Sequence, residues 1–106
     1  MPAPLYTPTS DGDTTYAVPS GVTTNTLIKT GPGSLARVLV TSANGAAAIN
    51  IYDANSPASG AVTGTIIGVV PASATAGSVY SLGMPFENGL IVGGAATNGA
   101  LTISYH

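Results

Sequence analysis

The sequence predicts an all-β fold, an antiparallel β-sandwich of the jelly-roll or immunoglobulin-like type with an extended N-terminal arm. It has seven short strands, or eight if the arm supplies one near residues 14–18. Runs rich in Val, Ile, Thr and Tyr alternate with clusters of Gly, Pro, Asn and Ser, the pattern of strands joined by turns. No stretch keeps apolar residues at helical spacing for long enough to form a helix. Many short strands at regular intervals favour a sandwich or a small barrel.

The chain divides into an arm, residues 1–20, and one β-sandwich domain, residues 21–106. Several prolines fix φ and remove backbone donors in the arm, so that it is extended and cannot form a helix. The arm is either a disordered tail or a segment that lies along a neighbouring subunit and orders on assembly. In the second case we expect Leu5, Tyr6 and Tyr16 to bind the partner, because they give the arm its apolar anchors.

Turn signals separate the first three strands of the domain. The first strand, residues 22–29, ends before the Gly-Pro-Gly turn of residues 31–33. The second, residues 34–41, has apolar residues on both faces, which is typical of a strand covered on both sides. Asn44-Gly45 is the strongest hairpin signal in the chain and joins this strand to the third, residues 46–53. In the second strand, alternation places Ala36, Val38 and Val40 on one face and Leu35, Arg37 and Leu39 on the other.

The remaining strands follow after loops. The fourth, residues 61–70, contains Gly64 and Gly68, where we expect bulges or a close backbone approach. The fifth and sixth, residues 79–84 and 89–92, flank a Pro-Phe-Glu-Asn-Gly turn. The last strand, residues 99–105, alternates most clearly between an apolar and a polar face. The predicted core consists of Leu27, Val38, Val40, Ile49, Ile51, Leu82, Leu90, Leu101 and Ile103.

Charged residues make up 6% of the chain, against about a quarter in a typical domain, and the formal net charge is −2. A surface of Ser, Thr, Ala, Asn and Gly is easily desolvated, which favours a subunit packed among others, a homo-oligomer in particular. The cations, Lys29 and Arg37, are too few to neutralise phosphates, so nucleic acid is not an expected partner. The chain has no cysteine, which excludes disulfides and thiolate sites and fits a reducing cytoplasm.

No arrangement of residues points to catalysis, a cofactor or a metal ion. The chain's one histidine, His106, is the last residue, and a nucleophile, a base and an orienting group cannot be assembled around it in the usual way. Asp11 and Asp13 have the alternate spacing of calcium ligands but lack the rest of that pattern. Asp53 is expected to form a local Asx turn and Glu87 to lie at a loop tip. We therefore expect a non-enzymatic protein without a cofactor.

The sequence also gives no reason to expect a membrane protein. The first residues lack the basic and apolar regions of a signal peptide. The longest apolar run, residues 66–72, is far shorter than the roughly 20 residues of a membrane-spanning helix.

An alternative function, glycan binding by an adhesion module, depends on the tyrosines. Sugars stack on exposed aromatic faces, and the chain has five tyrosines, one phenylalanine and no tryptophan. Tyr80 and Tyr105 share a face with apolar strand residues, so we expect them to be packed. Tyr52 is then the tyrosine of the domain that we expect to be free to form a platform.

From residue 26 onward, the segments follow an order seen in a known protein family. LIKTGPGSLARVLV leads into AAAINIYDANSPASG, followed by TAGSVYSLGMPFENGLIVGG and a closing ALTISYH. This order resembles the small β-sandwich virion proteins of tailed bacteriophages, of the capsid decoration or head-associated type. The shared elements are a Gly-Pro-Gly turn before an apolar strand, a strand ending in Tyr-Asp, a Pro-Phe-x-Asn-Gly-Leu turn and a terminal strand ending in Ser-Tyr.

The resemblance implies a non-enzymatic structural subunit, a decoration or cement protein that stabilises a bacteriophage head lattice. Its partners would be the major capsid protein or other virion subunits, and it would form a homo-oligomer, for which a trimer is our expectation. It would be made in the host cytoplasm and located on the capsid surface of the virion. A head or tail fibre module is the alternative function in the same setting.

Overall fold

The described part of the chain forms eight β-strands. The computed structural model describes residues 14–56, 62, 64–95 and 97–106, and within them it contains no helix. The strand predicted in the arm is confirmed as β1, whereas β2, β4, β5 and β8 begin later than predicted. The strands are β1 (Thr14–Val18), β2 (Thr26–Thr30), β3 (Gly33–Val40), β4 (Ile49–Asp53), β5 (Thr65–Val70), β6 (Val79–Phe86), β7 (Gly89–Val92) and β8 (Leu101–Tyr105).

The strands form two four-stranded antiparallel sheets. The strand order is β1-β8-β3-β6 in the first sheet and β2-β7-β4-β5 in the second. The first strand pairs with the last, the second with the seventh, the third with the sixth and the fourth with the fifth. Pairing of β3 with β8 and of β4 with β7 completes each sheet. The predicted all-β fold of antiparallel sheets is confirmed.

One hydrophobic core receives side chains from both sheets. The predicted core residue Leu82 is only partly buried, and it packs against the buried core residues. The prediction for Leu27 is wrong, because Leu27 is partly exposed and Ile28 packs against the core instead. The β2–β7 register shifts between Leu27 and Lys29, so that the simple alternation of β2 is broken there. The predicted core residues that are buried are Val38, Val40, Ile49, Ile51, Leu90, Leu101 and Ile103.

A bulge in the middle of β3 changes which of its side chains point inward. Leu35 pairs with Met84 of β6 but Arg37 pairs with Ser81, so the register shifts between the two pairs. The same shift occurs in the pairing of β3 with β8. Leu35 and Val38 are therefore both fully buried although they are an odd number of residues apart. The prediction that Leu35 lies on the face opposite Val38 is wrong for this reason.

The hairpin predicted at Asn44-Gly45 is also wrong. β3 and β4 lie in different sheets, and the segment between them crosses from one sheet to the other. Asn44 is buried in this crossing. Its Nδ2 donates to the carbonyl oxygens of Ala47 and Pro71, each at 2.9 Å, and its Oδ1 accepts from the amide of Gly99 at 3.1 Å. Asn44 is thus a polar junction of three connecting segments and not a turn residue.

A bulge and a close backbone approach, the two features expected at Gly68, are both found there. The β4–β5 register shifts between Ile51 and Tyr52, which makes β5 irregular beside it. A Cβ at position 68 would lie 2.9 Å from Cδ1 of Leu82, so glycine permits a close approach between β5 and β6. A larger residue there would push apart two strands that belong to different sheets.

Candidate binding surfaces

A small polar cavity lies on the second sheet, where β4 begins and the chain leaves β7. Its volume is about 170 Å³. This exceeds the roughly 30 Å³ that a water molecule occupies and falls short of the roughly 300 Å³ of the smallest drug-sized pockets. Its walls include Asn25, Asn50, Tyr52, Gly93 and Asn98. The cavity therefore has room for one small ring.

The alternation of β4 places two polar residues beside this cavity. Ile49 and Ile51 are buried in the core, so Asn50 and Tyr52 lie on the outer face of the sheet. The Nδ2 of Asn50 donates to the hydroxyl oxygen of Tyr52 at 3.3 Å. The amide of Gly93 donates to the backbone oxygen of Asn50 at 2.8 Å, which continues the β4–β7 pairing past the end of β7.

Two further asparagines hold the segment that follows β7. Asn25, just before β2, accepts a hydrogen bond from the amide of Gly94 at its Oδ1, at 3.1 Å. The Nδ2 of Asn98 donates to the carbonyl oxygen of Gly93 at 3.0 Å, and this bond determines which way the side-chain amide faces. In the described part of the chain, the Oδ1 of Asn98 is a buried acceptor without a partner. A buried polar group without a hydrogen-bond partner costs about 1–3 kcal/mol of folding free energy, so a donor that reaches this oxygen would bind it favourably.

The cavity has hydrogen-bonding groups but no acid or base that titrates near neutral pH. The residues described around it include no Asp, Glu, His, Lys or Arg. Elsewhere in the described ranges, no group of three or more His, Asp and Glu residues is placed to hold a metal ion. His106 extends the β8–β3 pairing through two backbone hydrogen bonds of 2.9 Å with Ser34. Asp11 and Asp13 lie outside the described residues.

The tyrosines divide as predicted, with one difference. Tyr80 and Tyr105 pack against the core, which confirms their prediction. Tyr52 is not a free platform, because it is partly buried, accepts a hydrogen bond and forms a wall of the cavity. The sequence interpretation missed the asparagines around it. The position of Asn50 between two inward-facing isoleucines was the available signal, whereas asparagines in connecting segments such as Asn98 are too common to be one.

The edge strands form a second candidate surface. β1 and β6 are the outer strands of the first sheet, and β2 and β5 are those of the second. Large apolar side chains are exposed on three of these strands: Tyr16 of β1 by 38%, Ile66 and Val69 of β5 by 49% and 47%, and Val79 and Met84 of β6 by 54% and 39%. β5 and β6 contact each other, so these two edge strands form one flank of the molecule.

These edges lack the charges that usually protect an edge strand. Free monomers commonly place lysine or other charged residues there, which prevents pairing with a second chain. β1, β5 and β6 contain no charged residue, and β2 carries Lys29. β6 is interrupted by Pro85 and the positive-φ residue Gly83 near its register shift. The pairings of β2 with β7 and of β5 with β4 also contain a register shift, whereas the pairing of β1 with β8 is regular. The uncharged edges are therefore able to pair with another polypeptide.

The arm residues predicted to bind a partner are only partly within the described chain. Tyr16 lies on β1, where it pairs with Ile103 of β8 and is exposed. Val18, at the end of the same strand, is buried in the core. β1 is therefore part of the first sheet. Leu5 and Tyr6 lie outside the described residues.

Asp53 connects β4 to the turn between β6 and β7. Its carboxylate accepts from the amide of Glu87, at 3.1 Å to each oxygen, and from the amide of Asn88 at 2.8 Å. The expected local Asx turn is wrong, because β4 and β7 are neighbours and bring this distant turn to the carboxylate. Burial raises the pKa of the Asp53 carboxyl. Backbone hydrogen bonds from Asn88, Glu87 and Gly89 together lower the pKa by more than burial raises it, so the pKa lies below its ordinary value of 3.8.

We expect Asp53→Asn to lower the free energy of unfolding at neutral pH. We also expect the free energy of unfolding of this variant to fall less than that of the wild-type protein when the pH is lowered. Because the folded-state pKa lies below the unfolded value, the carboxylate stabilises the fold above about pH 4 and this contribution is lost as the pH falls through the folded-state pKa. Because the carboxylate is solvent-accessible and therefore screened, the two proteins should differ by about 0.5 kcal/mol at neutral pH and by less near pH 2. Urea-denaturation midpoints at both pH values measure this.

The control for that comparison is Glu87→Gln, which removes a carboxylate from the same turn and leaves the hydrogen bonds to Asp53 in place. It corrects for the change in net charge. A difference between the wild-type protein and Asp53→Asn that is the same in acid as at neutral pH would contradict a stabilising role for the ionised carboxylate.

Comparisons with protein-family models, with curated proteins and with solved structures find no match to this chain. Among the described residues, no helix has the length and apolar character needed to cross a membrane. The resemblance to bacteriophage virion proteins thus stays a prediction.

Proposed function

We propose that this chain is a non-enzymatic structural subunit of a bacteriophage virion, a decoration or cement protein that binds the major capsid protein or other shell subunits. One observation carries the proposal: β1, β5 and β6 are uncharged edge strands with exposed apolar side chains. Such edges promote aggregation of a free monomer but suit burial against other chains. Because only 6% of the residues are charged, few ions would have to be desolvated on assembly.

We infer further that the two sheets form a jelly roll. The pairing of the first strand with the last, the second with the seventh, and so on inward is the pairing expected when one long antiparallel ribbon is wound into eight strands. Jelly rolls occur in viral capsid domains and in lectins. A fold alone does not determine function, so this strand order supports the proposal through the strands that it places at the sheet edges.

Two kinds of contact would hold the subunit in the proposed lattice. Thirteen residues precede β1, and when extended they would reach up to about 43 Å, far enough to add a strand to a neighbouring subunit with Leu5 and Tyr6 as anchors. Tyr16 would extend that contact along β1. The flank formed by β5 and β6 would join copies of the chain, as in a trimer. On a symmetric shell such contacts repeat, and their combined strength exceeds that of each one.

The proposal predicts where the chain is found when it is purified from its source. It should sediment with capsid-sized particles, and labelling with a specific antibody should place it on the shell. Label confined to head or tail fibres would contradict the cement role and support the fibre alternative. Recovery solely as a free 10.3 kDa monomer would contradict both functions.

Charge placed on the edges should prevent attachment to the particle. Val69→Lys and Val79→Lys are each expected to reduce incorporation about tenfold or more, because an unpaired cation would be buried in the contact. Thr23→Lys adds the same charge at an exposed position between β1 and β2 and serves as the control.

Deletion of residues 1–13 keeps the buried Val18 in place and tests the arm separately. Unchanged incorporation of Val69→Lys, of Val79→Lys and of the deletion protein would overturn the assigned contacts.

A further inference from the structure

We infer that the polar cavity beside β4 binds one ring of a neutral carbohydrate. This inference goes beyond the proposed virion role and does not depend on it. The site involves the outer face of the second sheet and the segment after β7, whereas the proposed assembly contacts involve the edge strands and the arm. The two surfaces share no residue, and they adjoin along β5, where Val69 and Ile66 pair with Asn50 and Tyr52.

The chemistry of the walls selects the class of ligand. The residues described around the cavity supply no cation for a phosphate or carboxylate and no carboxylate for a metal ion or an amine. A purely apolar ligand would remove asparagine amides from water without offering them partners. Sugar hydroxyls both donate and accept hydrogen bonds, as do asparagine side chains, so a neutral sugar matches the groups that are present.

Tyr52 and Gly93 together leave space for the ring. A Cβ at position 93 would lie 3.6 Å from Cε1 of Tyr52 and 3.3 Å from the backbone oxygen of Asn50, so glycine keeps the space beside the aromatic ring open. The 3.3 Å hydrogen bond from Asn50 Nδ2 holds the tyrosine hydroxyl in place. An aromatic side chain with a fixed polar tip can contact the C–H face of a sugar while the neighbouring amides contact its hydroxyls.

Asn98 supplies an acceptor that the protein itself does not satisfy. Its Nδ2 is committed to the carbonyl oxygen of Gly93 at 3.0 Å, so the amide cannot be turned over to exchange its donor and acceptor. Its Oδ1 is buried and, within the described ranges, has no partner. A hydroxyl of a ring in the adjoining cavity would donate to this oxygen after a small side-chain shift. Binding would then satisfy a group that the fold leaves unmet.

Titration of the ¹⁵N-labelled full-length chain with a panel of methyl glycosides tests the inference. Glucosides, galactosides, mannosides and N-acetylglucosaminides cover the common arrangements of hydroxyl groups. At least one is expected to shift the backbone amides of Gly93 and Gly94 and the side-chain amides of Asn50 and Asn98 in a saturable way. A ligand of this size should bind with a Kd on the order of 1 mM. Absence of saturable shifts with every glycoside, or shifts that map elsewhere, would overturn the inference.

Three variants make the test specific, each checked for a dispersed spectrum of the folded protein. Tyr52→Ala removes the aromatic contact, and Gly93→Ala places a methyl group beside the Tyr52 ring where the sugar would lie, so each should raise the Kd about tenfold or more. Tyr16→Ala removes an exposed tyrosine from the other sheet and should leave the Kd unchanged. Wild-type affinity in both cavity variants would also overturn the inference. Because the titration uses the isolated chain, its result is separate from that of particle attachment.

Discussion

Replacing Leu35 by alanine is expected to lower the free energy of unfolding by about 3 kcal/mol or more. Leu35 is fully buried in the shared core. Its Cδ2 lies 3.5 Å from the point where a Cβ of Gly68 would be, so it reaches from the first sheet to β5 of the second. The truncation removes apolar contacts and leaves a cavity between two sheets whose hydrogen-bonded strands cannot collapse to fill it. Urea denaturation followed by a spectroscopic signal measures the change.

The matched control is Leu39→Ala in the same strand. It deletes the same atoms, and strict alternation would place Leu39 on the same face as Leu35, but Leu39 is only partly buried. With the bulge between Leu35 and Arg37, we expect this variant to cost about 1 kcal/mol. Equal destabilisation by the two substitutions would contradict the inward orientation that the bulge gives to Leu35.

This difference between the two leucines shows why part of the fold could be predicted and part could not. β8 could be predicted because its alternating pattern, with Leu101 and Ile103 inward, agrees with its final environment. β7 could be predicted because a short apolar run between turn signals is buried throughout. The bulge of β3 arises from its register with β6 and β8, and one strand's own sequence does not specify the register of its partners.

Turn chemistry has the same limit. Asn-Gly is well suited to a tight hairpin turn, but a hairpin forms only if the strands on either side share a sheet. β3 pairs with β6 and β8, whereas β4 pairs with β5 and β7, so the connection must cross between sheets. Asn44 then acts through its side chain. Asp53 was misinterpreted for a similar reason, because its partners are supplied by a turn distant in the chain.

For the candidate sites, composition was more informative than any motif. The scarcity of charge predicts a surface that other chains cover, and our proposal assigns that surface to the uncharged edge strands. Tyr52 could be selected because it is a strand tyrosine outside the predicted core. Asn25 and Asn98 could not, because they meet only once β2, β7 and β4 lie side by side in the second sheet.

Replacing Asn44 by alanine is the second substitution for which we expect a large effect, a loss of about 3 kcal/mol. Its side chain makes three hydrogen bonds of 2.9–3.1 Å, and alanine would leave the carbonyl oxygens of Ala47 and Pro71 and the amide of Gly99 without them. Each buried polar group left unpaired costs about 1–3 kcal/mol, reduced where water can enter. Asn55→Ala, at an exposed position after β4, is the control and should change stability by less than about 0.5 kcal/mol.

Asn44→Asp separates the loss of hydrogen bonds from the loss of volume. A carboxylate at this buried position would face the carbonyl oxygens of Ala47 and Pro71 without a proton to donate, so at neutral pH it should destabilise the fold more than alanine does. Its pKa in the folded state would be raised, so the folded state would take up a proton as the pH falls below that pKa and recover part of the lost stability. The stability difference between Asn44→Asp and Asn44→Ala, measured by urea denaturation from neutral pH to about pH 4, should therefore narrow. A constant difference over this range would mean that the side chain at position 44 does not serve as a buried donor to these two segments.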